Sequence, residues 1–327
     1  MSTDNSIVLP VVDLSGYLHP TSPADKARVI AEVREACSEY GFFQVKGHGV
    51  PLDMQKALLQ SLRNLFSLPQ EEKLKLSFLN NPCRRGYEAS GMSVREGDAM
   101  ADSKEPFWVQ KAFYIGREDP VIERPGFYGP NVWPDLAEED FHGPVWEYYQ
   151  ATDKLGKMIW EILLQGLGHP PSLMEAFSKR PFVQMKMIRY PPASATLPGQ
   201  YGVGAHTDFG GVTVLLQEAG REGLEVWHEG RQEWLPVPAM ENMYIINCGD
   251  MIQNWSGGQY KSAKHRVINK SDHERLSCAT FWHGDVGASN PLNPSDPDRE
   301  TVGQLLVKRF GRQFSLSKTV VEQVRAS

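Results

Sequence analysis

Apolar positions recur with two textures, helical in the first half of the chain and strand-like in the second. After a short apolar strand at Val8–Leu14, the segment Pro23–Tyr40 places Val29, Ile30, Val33 and Ala36 at helical spacing, and Phe42–Val45 reads as a strand. Leu52–Phe66 and Val145–Leu167 are two further helical runs. The second is long and amphipathic, ends near Gly166 to Gly168 and is stopped by Pro170 and Pro171. From Phe182 onward the pattern shortens to β-rich runs: Val183–Tyr190, Val212–Gln217, Leu224–His228, Trp234–Val237, Tyr244–Asn247, Ala263–Asn269 and Leu276–Trp282. Gly, Pro, Asp and Asn punctuate them with the rhythm of an antiparallel sandwich or barrel, and a jelly roll is the first choice. Gly303–Phe310 predicts a closing helix.

The expected architecture is mainly β with α additions, folded as a single structural unit over 1–327. It comprises a mostly helical region at 1–180, a jelly-roll core at 181–290 and a C-terminal helical closure at 291–327. With 41% hydrophobic and 23% charged residues, the composition is that of an ordinary globular protein. A formal charge of -6 gives no broad positive field, which argues against nucleic acid or an anionic membrane as partner and leaves a small molecule. No obligate protein partner is evident. The N-terminus lacks a basic region followed by an apolar run, and no stretch reaches the about eighteen apolar residues of a membrane span, so a cytoplasmic location is expected. Cys37, Cys83, Cys248 and Cys278 are scattered without a C-x-x-C pair and read as small buried residues.

The chemistry gathers in three short motifs. In GVGAHTDFGG, His206 and Asp208 are two residues apart, so in extended chain both side chains project to one side and can share an ion. The pair alone is equally a loop histidine beside a turn-forming aspartate. His265, in KSAKHRVIN, lies in a β-rich run that a barrel can return to the same mouth. Two imidazoles and a carboxylate occupy one face of an octahedron and leave adjacent positions open, which suits iron(II) that must take a chelating co-substrate and O2. Arg275 and Ser277, in ERLSCATFW, share a strand face by the same alternation. A buried guanidinium there fits the carboxylate of a dicarboxylate, while an exposed pair would be an ordinary solvated edge. The glycines around His206 meet neither a dinucleotide nor a P-loop spacing.

These three motifs, HTD, HRV and RLS, resemble the isopenicillin-N-synthase-like branch of the 2-oxoglutarate/iron(II) oxygenases. The resemblance extends to LPVVDLS, EACSEYGFFQVKGHGVP, RGYEASG, KEPFWVQKAFYIG and INCGDMIQNWSGGQYKSAKHRV, nearly the whole chain. It implies a double-stranded β-helix core, iron at His206, Asp208 and His265, and 2-oxoglutarate gripped by Arg275, Ser277 and Tyr190 of MIRYPP. It also implies an enzyme that activates O2, releases succinate and CO2, and oxidises a C–H bond of a small metabolite by hydroxylation, desaturation or ring rearrangement. Many plant members read N-x-Y-P-P where this chain has Ile188, Arg189 and Tyr190, which makes the local pocket drier.

For the substrate pocket, alternation along the Arg275 strand turns Ala279 and Phe281 inward, with core packing the other role open to Phe281. Further candidates are Phe209 beside Asp208, and Phe107, Val109 and Lys111 from a segment expected to fold over the mouth. If Tyr190 faces inward, Arg189 faces out. Aromatic, polyketide-like or heterocyclic substrates are the first expectation. Three alternatives stand beside this reading: an iron oxidase of the same family that does not consume 2-oxoglutarate, a zinc hydrolase using Asp250 or Glu225 as base, and a non-catalytic jelly-roll receptor.

Overall fold

In the computed structural model, residues 9–89, 110–122, 124, 126–196, 202–293, 295 and 300–314 are described. The N-terminal part contains β1 (Val11–Asp13), α1 (Ser15–Leu18), α2 (Pro23–Glu39), β2 (Phe42–Lys46), α3 (Leu52–Ser67), α4 (Gln70–Lys75), β3 (Gly86–Glu88), β4 (Lys111–Gly116), α5 (His142–Gly166) and α6 (Met174–Phe177). The remainder contains β5 (Pro181–Tyr190), β6 (Val203–His206), β7 (Val212–Gln217), β8 (Leu224–His228), β9 (Glu233–Pro236), β10 (Tyr244–Cys248), α7 (Asp250–Trp255), β11 (His265–Val267), β12 (Arg275–Asp285) and α8 (Val302–Phe314).

Local chemistry sets the helix boundaries. Helix α2 begins at a capping box in which Ser22 and Asp25 satisfy each other's backbone, with Pro23 pre-set for the first turn. It stops before Gly41, whose φ of +69° and closeness to the Lys261 carbonyl exclude a side chain. Its buried stripe, Val29, Val33, Ala36 and Cys37, keeps helical spacing. All four cysteines are buried and free.

The strands form an eight-stranded sheet in the order β1-β2-β10-β7-β12-β5-β4-β3 and a four-stranded sheet in the order β6-β11-β8-β9. Every pairing between these strands is antiparallel except β1 with β2. The two sheets face each other as an open sandwich, the jelly roll that the strand rhythm predicts. The mostly helical N-terminal region supplies the two expected strands, β1 and β2, to one edge of the large sheet, and two that the sequence did not indicate, β3 and β4, to the other. Strand β6 went unread in the sequence because its four residues, VGAH, sit in a glycine-rich stretch of low strand propensity.

Two apolar clusters follow from this layering. The larger lies between the large sheet and the helices, and the smaller, including Phe42, Ile188, Val203, Val226, Ile245 and Val267, lies between the sheets. Side-chain alternation divides each strand between them. On β12, Leu276, Cys278 and Trp282 enter the helix-side cluster. Helix α5 fixes that face: Thr280 bonds to the Thr152 hydroxyl at 3.1 Å, the Trp282 indole donates to Asp153 at 2.7 Å, and the Trp160 indole donates to the Trp282 carbonyl at 3.1 Å. Gly156 permits the approach, since a Cβ there would lie 2.8 Å from the Trp282 ring. The opposite face of β12, bearing Arg275, Ser277, Ala279 and Phe281, is thereby held toward the smaller sheet. Helix α8 packs Val302, Leu306 and Val307 on the larger cluster at the C-terminal end. Among the described residues no helix is long and apolar enough to cross a membrane.

Candidate active site

The antiparallel register of β6 and β11 places His206 directly opposite His265. Asp208 follows two residues after the end of β6, and its Oδ1 lies 3.7 Å from Nε2 of each histidine. One ligand atom from each residue falls within 4.8 Å of the other two, and the imidazole centroids are 4.1 Å apart. The outer atoms are engaged by the scaffold. His206 Nδ1 lies 2.7 Å from the Gly204 carbonyl oxygen and His265 Nδ1 lies 3.3 Å from that of Ala263. An Nδ1–H donated to a carbonyl selects the tautomer whose Nε2 lone pair points to the centre. Asp208 Oδ2 accepts from the Thr213 hydroxyl at 2.7 Å and from the Asn247 amide at 2.8 Å, which turns Oδ1 toward the imidazoles. Thr213 and Asn247 are a register pair on β7 and β10, so two adjacent strands orient one carboxylate.

The loop after Asp208 is glycine-rich for reasons of space. A Cβ on Gly210 would lie 1.9 Å from His283 Nδ1, and one on Gly249 would lie 2.3 Å from the Gly210 carbonyl oxygen. The Gly211 amide donates to His283 Nδ1 at 3.2 Å, and the Asp250 amide donates to the Asp208 carbonyl at 2.7 Å. His283 is a further support that the sequence reading missed. It lies parallel to Phe281, with centroids 6.3 Å apart, and stacks on Phe182. Burial lowers its pKa to about 4, with Asp208 pulling the other way.

Arg275 and Tyr190 are opposite one another in register, and the guanidinium sits over the Tyr190 ring at 4.8 Å. Arg275 is 1% exposed, and among the described residues no carboxylate is hydrogen-bonded to it. Its Nη2 donates to Gln217 Oε1 at 2.7 Å, its Nε donates to the Arg221 carbonyl at 3.0 Å, and its Nη1 is buried without a hydrogen-bond partner among the described residues. Ser277 Oγ, on the same strand face, is likewise buried and unpartnered. Burial raises the Tyr190 pKa while the nearby Arg275 guanidinium and Ser277 hydroxyl pull it down, so the phenol is a proton donor at neutral pH and borders both groups. A planar anion supplies what these atoms lack: acceptors for a guanidinium fork and a hydroxyl.

The pocket candidates separate. Phe281 is half-buried on the inner face of β12, opposite Thr213 and Gln184. Phe209 is partly buried and packs against the larger cluster. Lys111 is misassigned as a pocket residue: it pairs in register with Arg189, on the β4 face that sends Phe113 and Ile115 into the helix-side cluster, away from Asp208. Because β4 alternates, Ala112 and Tyr114 are the residues turned inward. Phe107 and Val109 lie outside the described residues. Arg189 pairs with Glu274 at 2.7 Å. Glu225, considered as a hydrolytic base, faces away from His265 and is held by Arg266 at 2.7 Å and Lys270 at 2.9 Å, while Asp250 accepts a bond from the Thr207 hydroxyl at 3.1 Å. The sequence signal for Asn247 and Thr213 was present but faint: each is a polar residue at an alternating position of an apolar strand.

An open two-sheet jelly roll, with two imidazoles and a carboxylate converging between its sheets beside a buried guanidinium, is the framework of a mononuclear non-haem iron oxygenase. Residues 182–284 match the family model of the 2OG-Fe(II) oxygenase superfamily, and residues 9–136 match that described as non-haem dioxygenase in morphine synthesis N-terminal. The chain is 68% identical over 322 residues to the 2-oxoglutarate-dependent dioxygenase thnC of Trichoderma harzianum, covering 98% of this chain and 99% of that protein. It is 46% identical over 315 residues to the 2-oxoglutarate-dependent dioxygenase caaD of Aspergillus niger, covering 96% of each. Its fold is similar to that of a full-length Neurospora crassa protein solved in complex with alpha-KG, with a TM-score of 0.80 at 22% identity over 95% of this chain and 98% of that one. The chain belongs to the 2-oxoglutarate/iron(II)-dependent oxygenase superfamily, whose cofactors are iron(II) and 2-oxoglutarate, and it is an enzyme of that class.

Two outcomes follow from the supports around the centre. Asn247→Ala and Thr213→Val are each expected to weaken iron(II) binding roughly 10–100-fold, read by anaerobic metal titration, because Asp208 loses an orienting bond. The His283 pKa sits below its ordinary value of 6.5. The folded protein therefore refuses a proton that the unfolded chain takes, and the associated stability is present above pH 6.5 and lost as pH falls toward 4. The loss amounts to about 3 kcal/mol. Denaturant unfolding of metal-free wild type and His283→Phe across that window should show the drop shrinking by this amount in the variant.

Proposed function

We propose that His206, Asp208 and His265 hold iron(II), and that Arg275, Ser277 and Tyr190 seat the far carboxylate of 2-oxoglutarate, so that the enzyme oxidises a C–H bond of a small organic metabolite. When bound, iron(II) and 2-oxoglutarate supply the O2 activation, with release of succinate and CO2. The residues do the positioning. Carbonyl-anchored imidazoles and a doubly hydrogen-bonded carboxylate present three lone pairs from one side, which leaves the side toward Arg275 for a chelating ligand.

The observation that carries the assignment is the buried pair Arg275 Nη1 and Ser277 Oγ, neither of which has a hydrogen-bond partner among the described residues. Leaving such donors unmet inside a protein costs about 1–3 kcal/mol each, more for a charged group, so they mark a place that a ligand completes. Gln217 and the Arg221 carbonyl hold the guanidinium in orientation before that ligand arrives. The bound alpha-KG of the Neurospora protein and the names of the two fungal relatives support 2-oxoglutarate as that ligand. The apolar wall of Ile188, Leu215 and Ala279 on the same face keeps water from the centre. We place the enzyme in the cytoplasm, a reading supported by its four buried free cysteines.

Anaerobic addition of iron(II) and then 2-oxoglutarate should produce the weak visible charge-transfer band of the chelate. In Arg275→Ala the affinity for 2-oxoglutarate should fall by about 3 kcal/mol, roughly 100-fold. Iron binding without the band would instead indicate an oxidase of the family that takes no 2-oxoglutarate.

A further inference from the structure

A cavity of about 500 Å3 opens on the inner face of the four-stranded sheet, beyond His265 along β8, in a place the chemistry above does not use. Val226, the register partner of His265, and Leu235, the partner of Val226 on β9, give it an apolar wall that Ala263 extends. His228, two residues beyond Val226 and therefore on the same strand face, lines it further out, with the Tyr40 ring edge-on to the imidazole at 5.5 Å between centroids. Ser262 and Gln253 line it from the segment that leads from α7 to β11.

Placement separates this cavity from the co-substrate anchor and from the metal centre. A Cβ on Gly223 would lie 3.7 Å from Arg275 Cδ, so the anchor borders the start of β8, whereas His228 is five residues further on, roughly 17 Å along the strand. The Ala263 carbonyl faces His265 Nδ1, the nitrogen turned from the centre, so the Ala263 wall lies behind that imidazole. Thr207 lines the cavity between His206 and Asp208 in sequence, but none of the three candidate ligands does.

Two polar atoms of the lining residues, His228 Nδ1 and Ser262 Oγ, are buried without a hydrogen-bond partner among the described residues. The groups beside them are engaged: the Ser262 amide donates to Gln253 Oε1 at 2.7 Å, the Thr207 hydroxyl to Asp250 at 3.1 Å and the Lys261 ammonium to the Glu39 carbonyl at 2.9 Å. An imidazole nitrogen accepts in one tautomer and donates in the other, and a serine hydroxyl does both, so a ligand hydroxyl complements either atom in any proton arrangement. Charge does not favour an ion. The exposed Lys261 and Lys264 line the cavity together with the exposed Glu39 and Glu229, two of each sign, and Glu229 accepts from the Trp227 indole at 2.8 Å. The volume falls within the roughly 300–1,000 Å3 of small-molecule sites, and an aromatic ring meets Tyr40 and the apolar wall.

We propose that this cavity is a second small-molecule site, which takes an uncharged, polyhydroxylated aromatic of one or two rings, with hydroxyls on His228 Nδ1 and Ser262 Oγ and the ring system against Tyr40, Val226 and Leu235. Its test is calorimetric titration of the iron(II)-loaded protein under anaerobic conditions with resorcinol and with naphthalene-2,7-diol. Each diol is compared with its dimethyl ether, which donates no hydrogen bond, and resorcinol also with 3-hydroxybenzoate, in which a carboxylate replaces one hydroxyl. Wild type should bind at least one diol ~10-fold or more tighter than its ether, and resorcinol tighter than 3-hydroxybenzoate. His228→Leu and Ser262→Ala should each weaken the diol roughly 10-fold and leave the ether unchanged, whereas His228→Asn, which keeps a polar atom near the place of Nδ1, should retain most of the affinity. No binding of either diol, ethers that bind as tightly, or a preference for the carboxylate would each overturn the proposal. So would an unchanged diol affinity in His228→Leu or in Ser262→Ala, which would put the diol elsewhere. Equal losses of diol and ether in His228→Leu that His228→Asn does not restore would show a merely structural histidine and overturn it as well.

Discussion

The pairing of His206 with His265 across β6 and β11 is the constraint on which the site depends. Two residues far apart in sequence become cross-strand neighbours with imidazole centroids 4.1 Å apart, and only the register of two short strands keeps them there. A slip of one residue would turn one imidazole to the outer face. The surroundings defend the register. Strand β8 pairs Val226 with His265 on the far side, and Glu225 and Arg266, opposite each other on the outer face, close it with a 2.7 Å ion pair. Asp208 then has one place to be, set by Thr213 and Asn247 from the opposing sheet. The centre is thus assembled from both layers of the sandwich.

Such a site stores unmet polar demand in an otherwise apolar space. Arg275 and Ser277 keep buried donors that meet no partner among the described residues, while the helix side of the same strand is filled with Leu276, Cys278 and Trp282. The division follows from strand geometry: one face contributes stability through α5 and the other contributes function. Trp282 bonds to Asp153 and its carbonyl receives the Trp160 indole, so the part of β12 tied to helix α5 adjoins the part that carries Phe281, Ser277 and Arg275.

Residues close in sequence, or spaced by the strand period, were legible without coordinates. His206 with Asp208 and Arg275 with Ser277 are i, i+2 pairs, and the periodicity of the helices from Pro23, Leu52 and Val145 located their ends within a few residues. What could not be read depended on registry between distant strands. Asn247, Thr213 and His283 are ordinary strand residues until β10, β7 and β12 are aligned. Lys111 was offered as part of a segment folding over the mouth, and only the pairing of β4 with β5, which sets it opposite Arg189, shows which side of the sheet it takes.

The most direct test of the account is a crystal structure of the protein prepared anaerobically with iron(II) and 2-oxoglutarate, with anomalous data collected at the iron edge. A single anomalous peak at bonding distance from His206 Nε2, Asp208 Oδ1 and His265 Nε2, with the far carboxylate on Arg275 Nη1 and Ser277 Oγ, is the predicted result. An iron peak away from these three atoms, or a co-substrate carboxylate that leaves Arg275 Nη1 and Ser277 Oγ unmet, would contradict it.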